Sequence, residues 1–246
     1  MKKLLLGATA VLLATGAFAQ TKMTGEDARF GIKAGVNLAK MHASGDNSSL
    51  YNDNVKNNVG FNVTAFADFG VGNNFFIQPG ISLQNKGAKF EGTTSSTVLN
   101  TTITNVSNTK TNVMAIEVPV NAVFRIPTGD AGAIQINAGP YIGFNISGKN
   151  KSESTTTTVN NSTNPATSTV AESSVENDLK FGNSTDKNFS GIDFGANVGL
   201  AYRTNSGFLV GANYGLGLSN LVPKDSRVGD NKLTNRVIGF SVGYSF

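Results

Sequence analysis

The feature that most constrains this chain is a two-residue alternation, repeated eight times after residue 29, with bulky apolar side chains on one face and small or polar ones on the other. Successive side chains of a strand point to opposite faces, so each such run predicts a β-strand with two unlike surroundings. The first run sets Phe30, Ile32, Ala34, Val36 and Leu38 against Gly31, Lys33, Gly35, Asn37 and Ala39. The others begin at Val59, Phe75, Met114, Ile134, Ile192, Phe208 and Ile238, and the last ends the chain at Phe246. No segment beyond the first 20 residues shows a 3.6-residue period or an apolar run long enough for a membrane helix.

The connections alternate in length. Short turns (Gly70 to Asn74, Pro127 to Gly132, Thr204 to Gly207) alternate with long polar segments: Lys40 to Asn57, Glu91 to Lys110, Gly148 to Lys187 and Pro223 to Leu233. Short turns at one end and long loops at the other are the pattern of an outer-membrane barrel. The expected fold is therefore all-β: an eight-stranded antiparallel up-and-down transmembrane β-barrel. The stretch 148–187, rich in Ser, Thr and Asn, reads as a long mobile loop.

Alternation alone does not say which face points outward, and a soluble lipocalin-like barrel shares the period. Size decides. The interior of an eight-stranded barrel is just wide enough for side chains. The face rich in Gly, Ala, Asn and Ser suits that space, and the Ile, Phe, Val and Leu face suits lipid. In lipid a closed barrel satisfies every backbone group internally. Composition agrees: charged residues are 15% against roughly 25% in soluble domains, too few to coat a barrel in water.

The N-terminus reads as a signal peptide over residues 1–19: Lys2 and Lys3, an apolar stretch from Leu4 to Ala14, then Ala17-Phe18-Ala19 as a cleavage site. Residues 20–246 form the barrel domain. Removing Lys2 and Lys3 turns 20 basic against 16 acidic residues into 18 against 16, a net charge of +2. No basic run accompanies it, so nucleic acid is not an expected partner. With no cysteine there is no disulfide and no thiolate metal site.

Seven charged residues, Lys33, Asp68, Lys86, Glu117, Arg125, Asp193 and Arg203, fall on the small-residue face and predict a charge network in the lumen. Asp68 and Arg125 lie near the turn ends of their strands and can approach each other. Glu117 and Asp193 sit higher, within reach of Lys33 or Lys86. Structural bridges packing a plugged lumen are the plainer reading, and a gated polar pathway is the sharper one.

Several segments resemble the PorT-like outer-membrane β-barrel domain family abundant in Bacteroidetes. Residues Phe30 to Leu38 (FGIKAGVNL) are similar to its opening strand, Glu117-Val118-Pro119-Val120 to its fourth, and Ala138 to Gly143 (AGPYIG) to its fifth. Asn213 to Leu218 (NYGLGL) resembles the seventh, and Gly243-Tyr244-Ser245-Phe246 the terminal aromatic signal read by the barrel-assembly machinery. The resemblance implies a barrel in the cell outer membrane, with Tyr244 and Phe246 as the assembly signal. One namesake of the family serves a secretion system, and no residue here singles out that role.

Catalytic chemistry is sparse. The single histidine, His42, has Ser44 and Asp46 nearby in sequence, a weak pattern because a triad is defined across strands in space. The acids are not at calcium-loop spacing, and Gly215-Leu216-Gly217 lies inside a strand with no helix after it. No catalytic residue, metal or cofactor is expected. The expected function is a structural or interaction barrel, in contact with outer-membrane lipid, that presents extracellular loops to an unknown ligand. A narrow pore for small solutes and a lipid-modifying enzyme are the alternatives.

Overall fold

A computed structural model describes residues 28–45, 48–162 and 165–246. The signal-peptide reading of residues 1–19 lies outside them. The elements are β1 (Arg29–Ser44), α1 (Ser48–Asn54), β2 (Val55–Lys56), β3 (Asn58–Gly72), β4 (Phe75–Val98), β5 (Thr101–Pro127), β6 (Gly132–Asn160), β7 (Thr167–Asp178), β8 (Ile192–Thr204), β9 (Phe208–Gly217) and β10 (Lys232–Ser245).

Eight strands close a ring. Neighbours run β4-β3-β1-β10-β9-β8-β6-β5, β5 pairs back to β4, and every pairing is antiparallel. The first and last strands meet in this ring: Gly31 pairs with Ser245, and the Phe246 amide donates to the Phe30 carbonyl at 2.7 Å. The short turns lie at that same end, so the long connections gather at the other.

Bulk is sorted as the alternation predicts. Phe30, Val36, Ile81, Phe124, Ile142, Phe194, Leu200 and Val242 are exposed on the outer face, while Asn37, Asn62, Gln78, Asn121 and Gln135 are buried in the lumen. Nine residues of β1, from Phe30 to Leu38, span a band about 25 Å tall once strand tilt is allowed for. Three bulky rings also point inward: Phe66, Phe76 and Tyr141. Glycines make room for two of them on neighbouring strands. A Cβ at Gly31 would lie 2.3 Å from the Phe66 ring, and one at Gly195 would lie 2.7 Å from Tyr141.

Two polar segments expected as loops are strand instead. β4 and β5 stay paired up to Val98 and Thr101, so 91–110 is the end of a hairpin. β6 continues to Asn160, and β7 pairs along it from Lys149–Asp178 to Asn160–Thr167, which replaces most of the loop expected at 148–187. A bulge beside Met114 and Ala115 shifts the register where β6 leaves the barrel. Beyond it β4, β5, β6 and β7 form one four-stranded sheet of twelve rows, projecting roughly 35–40 Å from the barrel. Threonine carries the strand propensity here, with no buried face to impose alternation.

At the foot of this sheet the barrel mouth is closed by an apolar cluster. Met41, Val55, Ala88, Val113, Leu179 and Leu221 are buried together, with Tyr51, Phe90, Phe181, Phe189 and Leu233 packed against them. The six buried ones each come from a different strand end or connection. α1 and β2 exist to carry part of it: the Asn52 side chain ties the helix to Ala43 by two 2.9 Å hydrogen bonds, and Val55 pairs with Phe90.

Candidate functional site

Inside the ring, the seven sequence-predicted charges separate by height. Near the turn end, Asp68 is fully engaged: Arg125 Nη2 donates to one oxygen, and Gln78 Nε2 to the other at 2.7 Å. The Arg125 guanidinium also stacks 3.8 Å from the centre of the Phe76 ring. The expected Asp68–Arg125 approach is therefore present. Arg203 sits at this level, on the inward face of β8.

Higher in the lumen Lys86 reaches both acids. Its Nζ lies 3.1 Å from Asp193 Oδ2 and pairs with Glu117 Oε1, and all three residues are at most 4% exposed. Asp193 also accepts from Ser219 Oγ at 2.7 Å, Asn235 Nδ2 at 2.8 Å and Tyr141 Oη at 3.4 Å. The Tyr141 ring lies 4.7 Å from the Lys86 nitrogen. Lys86 rather than Lys33 is thus the cation of the upper group. Lys33 pairs across from Thr64 on β3, below that level, with its nitrogen 5.8 Å from the centre of the Phe66 ring.

The remaining predicted residues lie at the two rims. His42 and Ser44 end β1 beyond the apolar band, and Asp46 lies outside the described residues. Among the described residues no three His, Asp or Glu side chains gather as metal ligands. At the opposite rim, Tyr244 packs edge-on against Phe208 and Phe246, at 6.3 and 5.3 Å between ring centres.

What the sequence reading missed is the chemistry of the projecting sheet. Pairing registers place Lys89, Glu91, Lys110, Lys151, Glu153, Glu172 and Glu176 on one face, the one that continues the lipid-facing side of the barrel. Lys89–Glu91, Lys149–Glu176 and Lys151–Glu153 pair there at 2.5–2.6 Å. These lysines, by hydrogen bond first and by charge second, hold the Glu91, Glu153 and Glu176 carboxyls below the usual range. The other face has no charge. Its rows read Gly92-Ser107-Ser154-Ser173, Thr94-Asn105-Thr156-Ala171 and Ser96-Ile103-Thr158-Thr169. The parity of charges along 89–110 and 149–178 was the available signal, hidden because the segments were read as loops.

A family model, the outer membrane protein beta-barrel domain, matches residues 18–222. The chain belongs to this family. It is an outer-membrane β-barrel domain, consistent with the closed ring and its apolar band. No curated protein matches its sequence. In fold it is similar to Ail, the attachment invasion locus protein of Yersinia pestis, at 15% identity and TM-score 0.36, covering 90% of this chain and 100% of that one. Neisserial surface protein A gives 14% identity and TM-score 0.33 over 89% and 98% of the two chains. The translocator domain of autotransporter NalP from Neisseria meningitidis gives 12% and 0.28 over 98% and 97%.

Proposed function

We propose that this barrel is a closed, non-catalytic support that holds the four-stranded sheet outside the cell as a recognition surface. The observation that carries the reading is the sheet itself. It has no core to cover, yet it sorts its side chains into a charged face and an uncharged hydroxyl and amide face. An isolated polar sheet gains little from folding, so a ligand-binding role gives its order a use. The reading includes export through the cleaved signal peptide and assembly through Tyr244 and Phe246. It keeps the resemblance to PorT-like barrels as one of architecture.

The lumen supports closure. Two ion-paired groups and three inward rings fill it, and an apolar cluster covers its mouth. The test is to trim both hairpins between cross-strand partners, removing 93–106 and 152–175. Cells displaying the trimmed barrel are compared with wild type for retention on immobilised polysaccharides and proteins. Retention by wild type alone is expected, with the heat-modifiable barrel intact in both. Equal retention overturns the recognition role, and steady unitary currents in planar bilayers overturn closure.

A further inference from the structure

Among the described residues, one cation of the lower lumen, Lys33, has no ion-pair partner. Both oxygens of Asp68 are taken, by Arg125 and Gln78. Lys33 makes no ion pair within 4 Å among the described residues, and its ammonium lies 5.8 Å from the centre of the neutral Phe66 ring. Arg125 holds Asp68, so among the described residues no carboxylate is left within ion-pair reach of Lys33. Lys33 is half-buried in this narrow lumen, and an ammonium partly withdrawn from water favours an opposite charge or polar groups in place of its lost hydration.

Lys33 faces a small cavity of about 30 Å3 whose polar lining is Gln78, Gln135, Asn137, Asn213 and Ser241. That lining offers amide and hydroxyl donors and no carboxylate. Gln135 is 4% exposed, and its Nε2 is buried with no hydrogen-bond acceptor. A buried donor without an acceptor is destabilising, so a group that can accept from it is favoured there. One water needs about 10–15 Å3 by this measure, so the space suits a pair of waters or one halide-sized ion, and it is tight for sulfate or phosphate.

We propose that this cavity is a binding site for a small monovalent inorganic anion of the size of chloride, held between Lys33 and Gln135. The anion balances the charge of Lys33 and accepts a hydrogen bond from the unpartnered Gln135 amide. Water would satisfy the amide and leave the charge. The site is independent of what the outer sheet recognises.

The experiment uses the folded barrel in detergent. The temperature at which its heat-modifiable band is lost is measured in chloride, bromide, gluconate and sulfate at equal ionic strength. Binding to the folded state alone at ten times Kd raises that midpoint by about 3–6 °C. Wild type is expected to show such a rise in chloride and bromide over gluconate and sulfate. Lys33→Met is expected to lose the difference, and Gln135→Leu to reduce it. If Lys33→Met does not fold, bromide-soaked crystals of wild type decide: an anomalous peak between Lys33 and Gln135 is required. A wild type indifferent to halide, a Lys33→Met with undiminished halide response, or an empty bromide map overturns the proposal.

Discussion

Lys86→Met isolates what holds the upper lumen together. Lys86 is the only cation within 4 Å of Glu117 or Asp193 among the described residues, and it bridges strands β4, β5 and β8. Methionine fills nearly the same space, so the change removes charge and leaves packing. Two carboxylates then remain buried without a cation. Breaking a buried pair from one side typically costs about 3–5 kcal/mol. The two acids are not equal. Asp193 keeps the donors Ser219, Asn235 and Tyr141, whereas Glu117 has Lys86 as its one ion-pair partner. Removing Glu117 as well, in Lys86→Met/Glu117→Met, should recover at least half of the loss, a coupling of about 2 kcal/mol or more. Urea unfolding of the barrel in lipid vesicles measures this, followed by gel mobility and by tyrosine fluorescence, which reports alone because the chain has no tryptophan. A single variant within about 1 kcal/mol of wild type refutes the reasoning, since a normal surface salt bridge is worth no more.

Ile142→Arg places a guanidinium on the outer face of β6 and should destabilise the barrel in vesicles by about 2–4 kcal/mol if Ile142 lies near the bilayer midplane; an effect below 1 kcal/mol in the same urea assay would mean that this face does not meet lipid. Glu176, its carboxyl held low by Lys149, favours β6–β7 pairing above the unfolded carboxylate range, and this contribution is lost as pH falls through its own lowered pKa. Amide protection factors over 149–178, each taken relative to the intrinsic exchange rate at that pH, should therefore fall in acid, less so in Glu176→Gln; identical acid profiles would contradict the pairing. Truncating Tyr244-Ser245-Phe246 removes the ring contacts to Phe208 and the Phe246–Phe30 backbone bond; the protein is expected to accumulate unassembled in the periplasm, and a normal heat-modifiable barrel would refute that.

Legibility followed solvent contrast. Where one face of a strand meets lipid and the other a crowded lumen, every second residue reports its side, so Asp68, Lys86, Glu117, Arg125 and Asp193 could be placed inward from order alone. Height was also readable, by counting from the turns, which brought Asp68 to Arg125. Telling Lys86 from Lys33 as the partner of Glu117 needed strand register, because Lys86 and Asp193 meet across a lumen and 107 positions of sequence. Above the membrane the contrast vanishes. Both faces of 91–108 and 151–176 meet water, nothing selects an apolar side, and paired strands read as polar loops. The mouth cluster escaped for the complementary reason: Met41 and Val55, Leu179, and Leu221 are scattered apolar residues at three polar connections, and only the closed ring brings those connections over one opening. The same closure makes the charge network depend on β8 and β4 at once, so a break on either side of the ring should loosen Asp193 from Lys86 before any strand is lost.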